Sequence, residues 1–280
     1  YTAKELGRNR VHVYQSGDTE TVQRHSELLG AAGLRDALER GLFRLHYQPI
    51  VGLAGSGFRI VRYEALLRVV HEVYPGRQGE LVLPAVFIPA AERFGLMGAI
   101  DRWVIRRAFQ EYAQGIGTTG ATLAINLSGN SLSDESLLQF IESQTAEFSF
   151  PAERACFEIT ETAAIQNLRP ALGVMAALKR HGCQLALDDF GSGLSSFHYL
   201  KTLPVDFLKI DGSFVKDMCS SAHDEALVAA INQMSHALGL RTIAEYVENR
   251  EIVDRLCQLG VDYAQGYFFG KPEPWRQGGD

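Results

Sequence analysis

The stretch LALDDFGSGLSS at 185–196 places Asp188 and Asp189 side by side, after an apolar run and before a glycine-rich turn. Within a strand, neighbouring side chains point to opposite faces. At a strand's last residue the backbone turns, and both carboxylates can swing toward one point, which suits a cation. Taken alone, the stretch is better read as a turn, because Asp and Gly are common turn residues. Other apolar, β-branched runs also end in polar groups. Glu64, Leu66 and Arg68 share one face of RIVRYEALLRV, Asn126 ends the run in TLAINLS, and Glu158 and Thr160 close ACFEIT. Lys209 and Asp211 share a face of VDFLKID, Glu245 ends RTIAE, and Gln265 lies in VDYAQG. Lys209 and Arg68 cannot neutralise so many carboxylates gathered at one mouth, whereas divalent cations can. The ligands on offer are all oxygen, with neither His nor Cys among them, which favours Mg²⁺ or Mn²⁺ over zinc. Two such ions about 3.5–4 Å apart would activate water for phosphoryl displacement.

The elements that must position these groups follow from the pattern. The expected strands are 43–51, 59–69, 122–128, 155–160, 184–188, 205–211, 241–245 and 261–266. Helical patterns fill 88–115, 131–146, 168–181, 222–238 and 249–259. Strand and helix in alternation indicate a parallel sheet with crossover helices, and eight strands suggest a closed α/β barrel of the TIM (β/α)8 type. Polar residues at strand ends would then meet at the C-terminal mouth. The first two strands are separated only by VGLAGSGF. A parallel crossover needs a dozen or more residues, so an antiparallel first strand is expected and the barrel is an altered one. The first forty residues differ: SGDTETVQRHSELLG and AAGLRDALER read as helical, with Gly41 as a stop.

Composition narrows the function classes. With 280 residues, 46% of them hydrophobic, the chain can bury a sizeable core. A net charge of -6 argues against binding a DNA or RNA polymer, though not against a small nucleotide held through a metal. The cysteines Cys156, Cys183, Cys219 and Cys257 form no C-x-x-C pair, so neither a disulfide framework nor a zinc site is expected, and the cytoplasm is the natural compartment. No apolar run reaches the length of a membrane span; LVLPAVFIPAA is broken by prolines. DFG at 189–191 resembles a kinase metal motif, but H-R-D, V-A-I-K and the G-x-G-x-x-G loop are missing. GSG at 191–193 is not followed by G-K-[ST], and so is a mobile loop rather than a P-loop. The histidines show no metal-type spacing, and YFF at 267–269 reads as core at the barrel's closure.

At these residues the sequence resembles the EAL domain, the cyclic-di-GMP phosphodiesterase module of bacterial signalling proteins. The matching stretches are YQPIV, YEALLR, FIPAAE, INLS, FEITET, LDDFGSGLSS, LKIDGSFV, AEYVE and AQGYFFGKP, across residues 42–272. AKELGRNRVHVY also resembles the tail of a GGDEF domain. That implies the C-terminal module of a GGDEF–EAL tandem: residues 1–14 a GGDEF-like remnant, 15–40 a helical linker, 41–280 the EAL barrel. Carried over residue by residue, Glu64, Asn126, Glu158 and Asp188 match ligands of a first metal, and Asp188 with Asp189 those of a second, either Mg²⁺ or Mn²⁺. Lys209 matches the lysine that contacts the attacking water, Glu245 a general base or metal ligand, and Glu161 the glutamate that holds the loop after the paired aspartates. Gln48, Leu66, Arg68 and Gln265 match substrate-contacting positions, and Asp211 is placed with them. The implied reaction is one-step hydrolysis of cyclic-di-GMP: water activated at the metals attacks phosphorus in line, and a 3′ oxygen leaves to give linear 5′-pGpG.

The resemblance also implies a homodimer through the loop at 190–202, where a mobile lid is the alternative reading. Three positions depart from the family pattern: Leu194 in GSGLSS, Tyr246 where glycine is usual, and Gly212 where arginine is frequent. None removes a metal ligand, so they bear on rate and regulation. Two other readings stand beside the phosphodiesterase. One is a module that senses cyclic-di-GMP or a protein without hydrolysis, the other a different Mg²⁺-dependent barrel enzyme.

Overall fold

The computed structural model describes residues 31–55, 57–70, 79–191 and 197–275. The expected GGDEF-like remnant, the linker before Ala31 and residues 192–196 of the 190–202 loop lie outside these. The chain divides into two compact units, one of residues up to Phe43 with Val69–Leu96, the other of Arg44–Arg68 with Met97 onward.

The smaller unit holds α1 (Ala31–Glu39), the first residue of β1 (Phe43–Gly52), the last two of β2 (Arg59–Val70), β3 (Leu81–Val82) and α2 (Pro84–Arg93). Gly41, with φ +65, turns the chain out of α1 while Leu42 N–H donates to Ala37 C=O at 2.9 Å, the stop expected there. Val69 and Val70 pair antiparallel with Val82 and Leu81. This two-residue strand is too short to show a period, and sequence pattern missed it. Pro84 opens α2, where its lacking N–H costs nothing. The single helix expected over 88–115 is two helices. Gly95 (φ +65) ends α2, with Leu96 N–H closing onto Ala91 C=O at 2.8 Å, before α3 (Met97–Gln114) begins.

In the larger unit, β4 (Thr122–Asn126), β5 (Ala155–Thr160), β6 (Gln184–Phe190), β7 (Phe207–Ile210), β8 (Arg241–Ala244) and β9 (Tyr263–Gln265) follow β2 in one parallel series. β1 pairs antiparallel with β9 and also pairs with β2, which closes an eight-stranded barrel. Since β2 runs with the parallel series, β1 is antiparallel to it as well, as the short connection requires. Around it lie α3, α4 (Ser136–Phe148), α5 (Glu161–Gln166), α6 (Leu168–Arg180), α7 (Phe197–Leu200), α8 (Gly212–Val215), α9 (Ala222–Ala237) and α10 (Arg250–Leu259).

Inward positions recur at every second residue of a strand. Ile50, Ala124, Cys156, Ala186, Phe207 and Ile243 make one buried apolar layer, with Tyr263 packed against it. One step of that period toward the mouth stand Gln48, Asn126, Glu158, Asp188, Lys209, Glu245 and Gln265. On β2 the matching pair is Arg62 below and Glu64 above. Arg62 is buried, its guanidinium 3.7 Å from the Phe207 ring centroid and hydrogen-bonded to Gln184 at 2.9 Å. The barrel thus has a floor that is apolar apart from Arg62, and a polar layer directly above it. Among the described residues no helix is long and apolar enough to cross a membrane.

Candidate active site

Lys209 is the centre of the polar layer. Its side chain is 0% exposed, and Nζ stands 2.7 Å from Glu158, 2.9 Å from Glu245, 3.1 Å from Asp188 and 3.6 Å from Glu64. Burial by itself would strip the proton from this lysine, but Asp188, Glu158, Glu245 and Glu64 together hold its pKa well above the usual value. The acids are displaced in turn. Burial, partly offset by Lys209, raises Glu158 well above the carboxylate range and pushes Glu245 up to about 8. Burial, then the charge of Asp188, pushes Asp189 up to about 6.

The paired aspartates meet through a backbone irregularity. β6 does not stop at Asp188, as expected, but continues to Phe190, with a register shift against β7 between Leu187 and Phe190. Asp189 takes φ +54, a left-handed conformation that Asp tolerates better than most residues. The bend brings ligand atoms of Asp188, Asp189 and Glu245 within 4.8 Å of one another.

Glu64 is held by two amides: Asn126 Nδ2 donates to Oε1 at 2.8 Å and Gln265 Nε2 to Oε2 at 2.6 Å. Gln265 also donates to Gln48 Oε1 at 3.1 Å, and Gln48 Nε2 donates to Gly270 C=O at 3.0 Å. With its nitrogen committed to Glu64, Asn126 presents its amide oxygen as the atom able to hold a cation. The fit to divalent ions rests on two observations. Four carboxylates lie within 3.6 Å of one buried ammonium and Asp189 adjoins them, more acid groups than a single lysine can pair. Glu158 Oε1 is a buried acceptor with no hydrogen-bond donor among the described residues. A hard cation satisfies both.

Glu161 sits behind this cluster and is buried. It follows the N-cap Thr160, whose side chain accepts from Ala163 N–H at 3.3 Å. Its Oε2 accepts from Gly191 N–H at 3.2 Å and its Oε1 from the Tyr199 hydroxyl at 2.6 Å, so one carboxylate ties both sides of the segment after β6. Gln48, Leu66, Arg68 and Gln265 line a cleft of about 290 Å³ over the polar layer, together with Glu64, Glu245, Tyr246 and Tyr267. Asp211 lies outside that lining; its Oδ1 accepts from Ser213 N–H at 2.7 Å at the start of α8. Asp101 escaped the sequence reading. It lies on the buried face of α3 and accepts from Ser128 N–H (3.0 Å), Ser128 Oγ–H (2.6 Å) and Ser131 Oγ–H (2.6 Å), fixing the turn that follows Asn126. Its acidic side chain, placed among Met97, Ile100, Val104 and Ile105, was the available signal.

An altered barrel with a carboxylate–lysine cluster at its mouth defines the class, a (β/α)8 scaffold with an all-oxygen site suited to divalent cations. The family model of the EAL domain matches residues 31–272, and the chain belongs to the EAL family. Cyclic di-GMP phosphodiesterase PdeB of Shewanella oneidensis is 43% identical over 273 residues, 97% of this chain and 31% of PdeB. Cyclic di-GMP phosphodiesterase PdeF of Escherichia coli is 39% identical over 242 residues, 86% of this chain and 31% of PdeF. The chain therefore spans about a third of these curated relatives. Among solved structures, the PaMucR phosphodiesterase in complex with c-di-GMP superposes with a TM-score of 0.78 at 33% identity, covering 87% of this chain and 96% of that one. The FimX EAL domain from Pseudomonas aeruginosa, bound to c-di-GMP, gives 0.78 at 34% identity, covering 86% and 95%.

Proposed function

We propose that this chain hydrolyses cyclic-di-GMP to linear 5′-pGpG with two divalent cations, Mg²⁺ or Mn²⁺, in bacterial second-messenger signalling. The observation that carries the reading is the buried Lys209 ringed by Glu158, Glu245, Asp188 and Glu64 beneath a cleft with Arg68 on its wall. The relatives named above supply the substrate.

Glu64, Asn126, Glu158 and Asp188 would hold one ion, and Asp188 with Asp189 the other. Bound there, the ions would lower the pKa of a water and polarise a phosphoryl oxygen. Lys209 is fixed by its carboxylate ring and keeps its proton, so it can orient a water at the floor without taking part in proton exchange. Glu245, pushed up to about 8, exchanges a proton near neutral pH and suits a base; as a ligand it would sit ionised. Arg68 places a guanidinium where a phosphate oxygen gains charge. Gln48 and Gln265, locked to one another and to Glu64, orient the nucleotide, with Leu66 as an apolar contact. Glu161 holds the segment after the paired aspartates in place.

The same reading makes the chain a cytoplasmic module of a longer GGDEF–EAL protein, dimeric through the 190–202 loop; the quoted GGDEF-like and loop motifs support it. The test is to incubate the purified chain with cyclic-di-GMP and Mg²⁺ or Mn²⁺, chromatograph the nucleotides, and run Glu64→Ala alongside. pGpG should appear only with metal and vanish in the variant. Nucleotide that binds but survives would make the domain a receptor, and analytical ultracentrifugation of the same sample reports the dimer.

A further inference from the structure

We propose that Tyr246 is a base-stacking wall of the nucleotide cleft, and that Gly212 exists in this chain to make room for it. The inference rests on the reading that cyclic-di-GMP is the substrate, and adds to it a contact for one guanine.

Three observations converge. Tyr246 has φ +55, a left-handed conformation that a bulky side chain adopts only when something compensates. The residue is 63% exposed, so burial in the core is not that compensation. It lines the same cleft as Arg68, Gln265 and Tyr267, the last being 59% exposed. The third observation concerns Gly212. A Cβ built there would lie 2.1 Å from Tyr246 Cδ2, 2.5 Å from Cγ and 2.8 Å from Cβ. The ring therefore rests against bare backbone, and any side chain at 212 would displace it. The φ of +55 and the missing Cβ hold one aromatic face at the rim.

The chemistry of the cleft says which part of the ligand that face meets. Glu245, one residue before Tyr246, belongs to the anionic floor, where a metal-held phosphate would sit. A neutral, flat group one step further out is the base. Purines stack on aromatic side chains whatever their edge pattern, and such a contact changes affinity about five- to hundredfold.

The test compares wild type with Y246G, Y246N, Y246F, G212A and the double variant G212A/Y246G. Asn tolerates the left-handed conformation without supplying a ring, so Y246N separates loss of stacking from loss of backbone restraint. Cyclic-di-GMP affinity is measured by calorimetry in EDTA, and KM and kcat with Mn²⁺. Y246G and Y246N should bind about five- to hundredfold more weakly, with the loss in KM rather than kcat, and Y246F should retain affinity. G212A should weaken binding in the wild-type background and have little further effect in Y246G. Wild-type affinity in both Y246G and Y246N, or an equal cost of G212A in both backgrounds, overturns the stacking role alone. A wild type that neither binds nor hydrolyses the nucleotide overturns the substrate assignment, and the stacking with it.

Discussion

At the residue scale the site is an electrostatic argument around Lys209. Its ammonium lies within 3.6 Å of four carboxylates and is fully buried, so removing it leaves those acids facing one another. Lys209→Met should destabilise the metal-free protein by about 3–5 kcal/mol, read by urea unfolding in EDTA, with Mg²⁺ recovering part of the loss. pH tests the same cluster. Asp189 and Glu245 are raised to about 6 and about 8 when folded, so folding takes up protons at both. Their stabilising contribution is complete below the ordinary carboxylate pKa of about 4 and is lost as pH rises through the folded values. In EDTA, Tm should fall between about pH 5 and pH 8.5, while the increment from added Mg²⁺ grows over the same range because metal displaces those protons. A metal-free Tm that is flat or rises with pH contradicts the raised values. Glu158, Asp188, Glu245 and Lys209 were legible because each ends or nearly ends a strand-like run, and a barrel gathers strand ends at one mouth. Glu64 was legible through the face it shares with Arg68 near the end of another run. The relation between Tyr246 and Gly212 was not: the sequence shows two separate departures, and only folding reveals that one ring fills the other's side-chain space.

At the element scale, what matters is how loops after strands are pinned. Asp101 accepts three hydrogen bonds from Ser128 and Ser131 and so holds the turn that starts two residues after Asn126. Asp101→Ala should cost about 2–3 kcal/mol of stability through the donors it strands. Mn²⁺ affinity should fall as well, by up to about 10-fold, because the turn that Asp101 holds lies just after Asn126. Calorimetric titration with Mn²⁺ on refolding-competent protein checks both, and unchanged affinity would reduce Asp101 to a structural role. Asp101 was hidden because helical spacing counts apolar residues and passes over a polar one in their register. The strands were legible to within two residues at most ends. The bulge at Asp189 was not, since its left-handed backbone is set by the register shift against β7 rather than by residue type. The break between α2 and α3 was masked because apolar spacing continues across Phe94–Leu96, although Gly95 marks it.

At the scale of the whole molecule, the barrel closes where β9 meets β1, and little space is left where β9 runs out beside the segment after β8. A Cβ at Gly266 would fall 2.1 Å from Val247 C=O and 2.3 Å from its N–H, beside the bond from Val247 N–H to Gln265 C=O at 3.0 Å. Gly266→Ala should destabilise by about 3 kcal/mol through overpacking, seen as a lower Tm, and should weaken nucleotide binding by shifting Gln265. The barrel and its reversed strand were readable from eight strand-like runs and one connection too short for a crossover. The reversal of β1 also shapes access. A forward strand would leave its exit loop on the rim, beside Gln48, Arg68 and Gln265. Because β1 points the other way, it sets Gln48 at the mouth early in its course and runs on toward the opposite end of β9. The rim is left without one of its eight exit loops on the side where Gln48, Arg68 and Gln265 line the cleft. A single change of chain direction thus gives this wall of the cleft to the body of a strand, at Gln48, rather than to a loop.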